Sequence, residues 1–416
     1  MSIYLDHAAT TPMLPAAIEA YVDAMSVVGN PASIHSQGQN AKRMLEEARE
    51  TVARSVGCDP IEVVFTGGGT EAINLAIKGL FWARAPRRRL LVPGGEHHAT
   101  MDTVEWLERH DGAEPGWLPL DGNGRVDPDR VADALATSAE DTALLTLLAA
   151  NNEVGTLQPI GEIGELAAIH GIPVHVDAVS AYGQVPIDFR ALSGTGRSGA
   201  AAGAAGSTGG IVALSLSAHK IGGPVGIGAL VLSRRASIVP LIHGGGQQRQ
   251  VRSGTQDVAA AVAFAAAASA LGDLPARNVR LRALRDRLIA GVRAVVPTAV
   301  LNGAEPGGPG QDWAAEDRLP GNAHFTFPGC EGESLLFLLD AAGISVSTGS
   351  ACQAGIPEPS HVLRAMGRSE AEARSALRIT LGRDSTADDV DAFLAALPAA
   401  HAQASRAGMN DRVPTR

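Results

Sequence analysis

The chain has little cysteine, no long basic run and no long apolar stretch, and each shortage removes a class of protein. Its 416 residues carry three cysteines, Cys58, Cys330 and Cys352, widely separated and without a C-x-x-C pair. An odd, scattered set argues against a disulfide framework and against a structural zinc site, so each thiol is judged singly. No Lys/Arg run exceeds Arg87-Arg88-Arg89 and the formal net charge is -10, so the footprint of a nucleic-acid-binding protein is missing. The first twelve residues contain Asp6 and His7 and lack the basic and apolar regions of a secretory signal. The longest uncharged apolar stretch, 258–271, is mostly alanine and too short to span a bilayer. These features predict a cytoplasmic globular protein with no direct nucleic-acid or membrane partner.

What is present is enough apolar residue, 45%, for a sizeable core, in a chain long enough for two or three domains. Short apolar, β-rich runs at 63–65, 90–92, 144–148, 173–176, 211–216 and 229–232 alternate with helical patterns at 70–81, 101–110, 128–136 and 160–169. That alternation predicts an α/β fold with a mainly parallel sheet, helices on both faces and a ligand at the carboxyl ends of the strands. After 272 the pattern changes to a long Arg-rich helix at 276–295, strands near 299–301 and 322–327, and then helix, strand and helix to 397. The expected domains are a large one over 13–272 and a smaller α+β one from 1–12 and 273–398, followed by a poorly ordered polar tail over 399–416. Residues 303–320 read as a Gly/Pro-rich surface loop, and 194–210 as a flexible insertion of Gly, Ala, Ser and Thr with a single Arg197.

Ser217-Ala218-His219-Lys220 closes a strand-like run and opens onto Gly222-Gly223-Pro224. On the tetrapeptide alone a solvated surface lysine is the commoner outcome, whereas a buried lysine at such a turn can condense with a carbonyl. Upstream, Asp177 ends the run 172–176; a carboxylate there is a helix cap, a buried ion-pair partner, or the group that holds a pyridine nitrogen protonated. Gly67-Gly68-Gly69 turns a strand into a helix that begins near Thr70, a phosphate seat without the Walker or dinucleotide spacing. In Glu96-His97-His98, adjacent imidazoles on an extended chain point to opposite sides and match no metal spacing. His97 is therefore expected to stack on a flat ring and to move protons, and His98 to be incidental.

Ser347-Thr348-Gly349-Ser350-Ala351-Cys352 is a run of small residues that presents one thiol, which suits a travelling nucleophile, while Cys58 and Cys330 read as inert hydrophobes. Arg378 stands alone in the apolar run 377–381, as a clamp for a substrate carboxylate or as a structural ion-pair partner.

Taken together these motifs resemble the cysteine desulfurases of the NifS/IscS type. The resemblance runs from Tyr4-Leu5-Asp6-His7-Ala8-Ala9-Thr10-Thr11-Pro12 to about Leu397 and includes Gly29-Asn30-Pro31-Ala32-Ser33, Asn151-Asn152-Glu153-Val154-Gly155, His243-Gly244-Gly245-Gly246 and Arg252-Ser253-Gly254-Thr255. The Cys352 segment is similar to the longer-loop group. The resemblance implies a fold-type I pyridoxal 5'-phosphate (PLP) transferase with a seven-stranded sheet, acting as a homodimer. It implies that Lys220 holds the cofactor, Asp177 pairs with its ring nitrogen, His97 stacks on it, and Ser180 stands at its phenolic oxygen. Gly69, Thr70, Ser217 and His219 would hold its phosphate, with Thr255 reaching it from the partner subunit. Asn152 and Arg378 would bind the carboxylate of L-cysteine, Lys220 would remove its Cα proton, and Cys352 would take the sulfur as a persulfide, leaving L-alanine. The sulfur would pass to an iron-sulfur scaffold, a tRNA thiolation enzyme or a DNA phosphorothioation system.

The chain departs from the pattern at three places. Ser180 replaces the usual glutamine with a shorter hydroxyl, Ala72-Ile73-Asn74 stands where Ser-Asp-Asn is common, and 194–210 is inserted. Other members of the same cofactor class, such as a selenocysteine lyase or an aminotransferase, would not need Cys352. A non-catalytic binding protein would need none of Lys220, Asp177, His97, Arg378 and Cys352.

Overall fold

The computed structural model describes residues 2–194, 209–307, 317–349 and 358–410. Cys352, most of the insertion and the middle of the Gly/Pro-rich loop therefore lie outside the described residues. The strands are β1 (Ile3–Tyr4), β2 (Val63–Thr66), β3 (Arg89–Pro93), β4 (Glu114–Leu118), β5 (Thr142–Leu148), β6 (Pro173–Asp177), β7 (Gly210–Ser217), β8 (Gly228–Leu232), β9 (Val300–Asn302), β10 (Asn322–Thr326), β11 (Ile344–Ser345) and β12 (Ala376–Thr380). In the first part of the chain the helices are α1 (Pro15–Met25), α2 (Ser36–Ser55), α3 (Gly69–Ala83), α4 (His98–Asp111), α5 (Pro128–Ser138), α6 (Ile160–Ile169), α7 (Phe189–Leu192) and α8 (Val258–Ser269). Then come α9 (Leu274–Val295), α10 (Gly332–Ala341), α11 (His361–Ala365), α12 (Glu370–Arg374) and α13 (Ala387–Asn410).

Seven strands form one sheet in the order β2-β8-β7-β6-β5-β3-β4, antiparallel only where β8 meets its two neighbours. Its central strands are buried along their whole length, which is why β5 reads Thr-Ala-Leu-Leu-Thr-Leu-Leu rather than alternating. One face packs on Leu45, Leu135, Ile163 and Phe264 of α2, α5, α6 and α8, the other on Ile73, Leu80, Val104 and Leu107 of α3 and α4. The outer strand β4, Glu-Pro-Gly-Trp-Leu, carries proline and glycine, tolerated because it pairs on one side only; those residues hid it from the apolar pattern.

A second core gathers α9, α10 and α13 on the antiparallel sheet β12-β10-β9, with Phe325, Phe327 and Phe393 fully buried. The N-terminal β1 pairs in parallel with β11, and Leu5 joins this core. One expectation is corrected here. Residues 399–410 are not a loose tail but the continuation of α13, because Ala400 and Ala404 are buried in the second core and the His401 ring lies 6.1 Å from that of Phe327. The loop at 303–320 is tied down at its end: the buried Arg318 donates to the carbonyl oxygens of Val154, Asn302 and Ala304. Among the described residues no single helix is long and apolar enough to cross a membrane.

Candidate active site

The parallel strands place their carboxyl ends side by side, and the chemistry-bearing residues lie there. β7 ends at Ser217 and runs into a 3-10 turn, Ala218–Ile221, closed by Gly222 at φ 83°, where a side chain would be strained. This turn carries Lys220 into a cleft of about 390 Å³. Its Nζ donates to the carbonyl oxygens of Ala8 and Ala9 at 2.5 and 2.9 Å. Burial pushes the lysine down to about 8, Arg378 adding to the effect and Asp177 and Asp6 opposing it. The surface-lysine alternative is thereby excluded.

One strand away, Asp177 at the end of β6 is buried and accepts the Val179 N–H at 3.0 Å. Burial raises its carboxyl to about 6. His97 forms the N-cap of α4: its Nδ1 accepts the Ala99 N–H at 3.0 Å, which leaves the proton on Nε2. Burial and the nearby Lys220 push the imidazole down to about 4, so it is neutral near pH 7. His98 lies outside the cleft lining, its ring 4.7 Å from that of His361. The preceding Glu96, quoted by the sequence reading without a role, is buried with Oε1 on the Leu148 N–H at 3.0 Å, and burial raises its pKa well above the usual carboxylate range.

The glycine turn after β2 brings Gly69 and Thr70 to the cleft at the start of α3, whose first turn has no side-chain cap. Gly69 packs too closely for a larger residue, since a Cβ would lie 2.8 Å from Val179 Cγ2. Ser217 and His219 also line this end, His219 bonded through Nδ1 to Thr10 Oγ1 at 3.1 Å. Glu71 in the first turn of α3 accepts Arg252 Nε at 2.8 Å and fastens the later Arg-Ser-Gly-Thr motif to the turn. Thr255 is exposed and outside this cleft lining.

Arg378 of β12, Asn152 and Ser180 line the same cleft. Arg378 Nη2 pairs with Asp6 at 2.9 Å and Nη1 donates to the Asn152 carbonyl at 2.8 Å. Sequence reasoning missed Asp6 as the partner; the Tyr-Leu-Asp motif was the available signal, but nothing local said what the aspartate meets. Ser347 and Gly349 line the same cleft, so the described chain runs along its wall toward the Cys352 segment. Cys58 and Cys330 are buried, and burial pushes the Cys58 thiol up to about 12, as inert cysteines require.

These residues suit one kind of cofactor. Among the described residues Asp177 is buried and forms no ion pair, Lys220 acting on it only at a distance, and a protonated ring nitrogen would supply a direct partner. The uncapped start of α3 offers free N–H groups to a phosphate, and the desolvated Lys220 offers an amine to an aldehyde. Fold and site together define a fold-type I PLP enzyme.

Comparison with known proteins narrows the class. The chain matches the aminotransferase class-V family over residues 3–194 and 207–393. It is 50% identical over 411 residues to an IscS-like cysteine desulfurase of Mycobacterium tuberculosis, covering 98% of both chains. Among solved structures, a NifS-like protein shares 32% identity at a TM-score of 0.82, covering 96% of this chain and 99% of the other. The structure of SspA in complex with cysteine shares 30% identity at a TM-score of 0.73, covering 93% and 100%. The chain belongs to the class-V aminotransferase family, in its NifS/IscS cysteine desulfurase branch.

Proposed function

We infer that the protein is a cysteine desulfurase that takes sulfur from L-cysteine, releases L-alanine and carries the sulfur as a persulfide on Cys352. The observation that carries this reading is that Ser347 and Gly349, close upstream of Cys352 in the chain, line the same cleft as Lys220, Asp177, His97 and Arg378. PLP, when bound, supplies an electron sink for the substrate's Cα. Lys220 would anchor it and accept the Cα proton, a task suited to an amine that burial has made more readily neutral. Asp177 would hold the ring nitrogen protonated, His97 would cover the ring face with Nε2–H as donor, and Ser180 would stand beside the ring. Gly69, Thr70, Ser217 and His219 would hold the phosphate. Arg378, aligned by Asp6, and Asn152 would take the substrate carboxylate.

The Cys352 thiolate then bonds to the substrate sulfur as the Cβ–S bond breaks and leaves its electron pair on carbon. Protonation makes the methyl group of alanine. One cysteine plus one thiol give one alanine plus one persulfide, so no external oxidant is needed. The persulfide would pass to an acceptor protein such as an iron-sulfur scaffold or a tRNA thiolation enzyme, in a reducing compartment such as the cytoplasm. A homodimer is supported by the exposed apolar side chains of Val22, Met25, Val28 and Ile34 and by the position of Thr255 outside its own chain's cleft.

The test is alanine and persulfide formation from L-cysteine by the wild type, Lys220→Ala and Cys352→Ala. Lys220→Ala should lose the absorbance band of bound cofactor, and Cys352→Ala should keep the band but form no persulfide. Undiminished sulfur transfer by Cys352→Ala would sink the persulfide mechanism.

A further inference from the structure

The main cleft is not the only cavity at Lys220. A second cavity of about 30 Å³ shares Ala8, Asn152, Ser180 and Lys220 with the main cleft. A third, again of about 30 Å³, shares His7, Gln184 and Lys220 with the second. The third cavity reaches Pro12 and Asp384, both exposed. Cavities that share lining residues thus follow one another from the lysine to exposed residues, between the 180–184 segment, the N-terminal segment and the residues after β12. Each small cavity has room for one or two water molecules, which need on the order of 15 Å³ apiece.

Three residues along this path carry a buried polar atom that has no hydrogen-bond partner: Asn152 Oδ1, His7 Nδ1 and Arg277 Nε. Buried polar atoms are almost always satisfied, and where the surroundings are polar and roomy enough the partner is an ordered water. Ser180, Gln184 and Asp384 add further polar groups to the walls. The His7 ring packs against Gly382 and lies 5.0 Å from Tyr4, edge to face, so it is held in place. Burial lowers its pKa, while Asp384, the Tyr4 carbonyl, Asp6 and Asp389 work the other way.

We propose that these two small cavities hold a file of ordered water through which Lys220 exchanges protons with solvent while the main cleft is occupied, with His7 as the relay midway. The inference rests on the desulfurase reading for the lysine's part in proton transfer. In that reaction Lys220 would take a proton from carbon at every turnover, with cofactor and substrate occupying the main cleft. Along this path one N–H proton passes to the first water as another leaves at the Asp384 end. Only N–H and O–H bonds are exchanged and the charge of the path is conserved. A neutral imidazole has one acceptor and one donor nitrogen, as a relay must have.

The test uses the PLP-loaded enzyme and L-cysteine carrying deuterium at Cα. Label that Lys220 removes either returns to the alanine product or is lost to solvent, and the retained fraction measures that competition independently of turnover rate. Retention should be low in the wild type and rise several-fold in His7→Phe and in Gln184→Leu, each of which puts an apolar group in the path. Crystals of the cofactor-free protein should show ordered water in both small cavities. Dry cavities, or label retention unchanged in both variants at normal turnover, would overturn the proton route and leave the desulfurase reading standing. Failure of the wild type to release alanine would overturn both.

Discussion

At the scale of single residues, the environment of Lys220 makes a pH-dependent prediction. An amine attacks an aldehyde only when unprotonated, and burial moves this lysine from near 10.5 to about 8. Cofactor-free protein should therefore combine with PLP at a rate that rises with pH through about 8 and levels off above it, as followed by stopped-flow absorbance. A rate still climbing toward pH 10 would mean that the amine is solvated. The sequence singled out Lys220, Asp177, His97 and Arg378, residue types out of place near strand ends or in an apolar strand, and the structure lines one cleft with all four. Their partners were not legible in the sequence. Arg378 meets Asp6 across 372 positions and Lys220 meets Ala8 across 212, and no spacing rule reaches that far.

Among the secondary elements, several with a clean apolar period were read from sequence, but α1 and α2 were not, although Ala41, Leu45, Ala48 and Val52 recur at helical spacing along α2, and β4 and the end of α13 were missed. β5 and α6 match their runs closely. β4 escaped because proline and glycine mark turns more often than strands. The end of α13 was mistaken for a tail because its alanines carry little hydrophobic signal, although they favour helix and let it approach the second core closely. Truncation after Pro398 should therefore cost on the order of 2 kcal/mol through lost burial around Ala400, Ala404 and Phe327, lowering Tm by several degrees in scanning calorimetry. An unchanged Tm would restore the tail.

For the molecule as a whole, the exposed apolar strip over α1 and the segment after it calls for a covering surface. Met25 and Val28 are 66% and 81% exposed, and Ile34 is 91% exposed. If the proposed homodimer is built on this strip, a Met25→Asp, Val28→Asp double variant should sediment as a monomer and bind PLP more weakly, because a partner would no longer contribute to the phosphate site. A variant that remains dimeric would show that the strip is not the subunit contact. By itself the sequence determined the alternation of strands and helices that makes the sheet and singled out residues that come to line one cleft, since strand periodicity and turn residues act over a few positions. Only the tertiary structure decided which carbonyls hold the lysine, which aspartate aligns Arg378 and which residues line the small cavities next to Lys220. Those features join segments hundreds of residues apart, and the packing of the two cores alone brings them together.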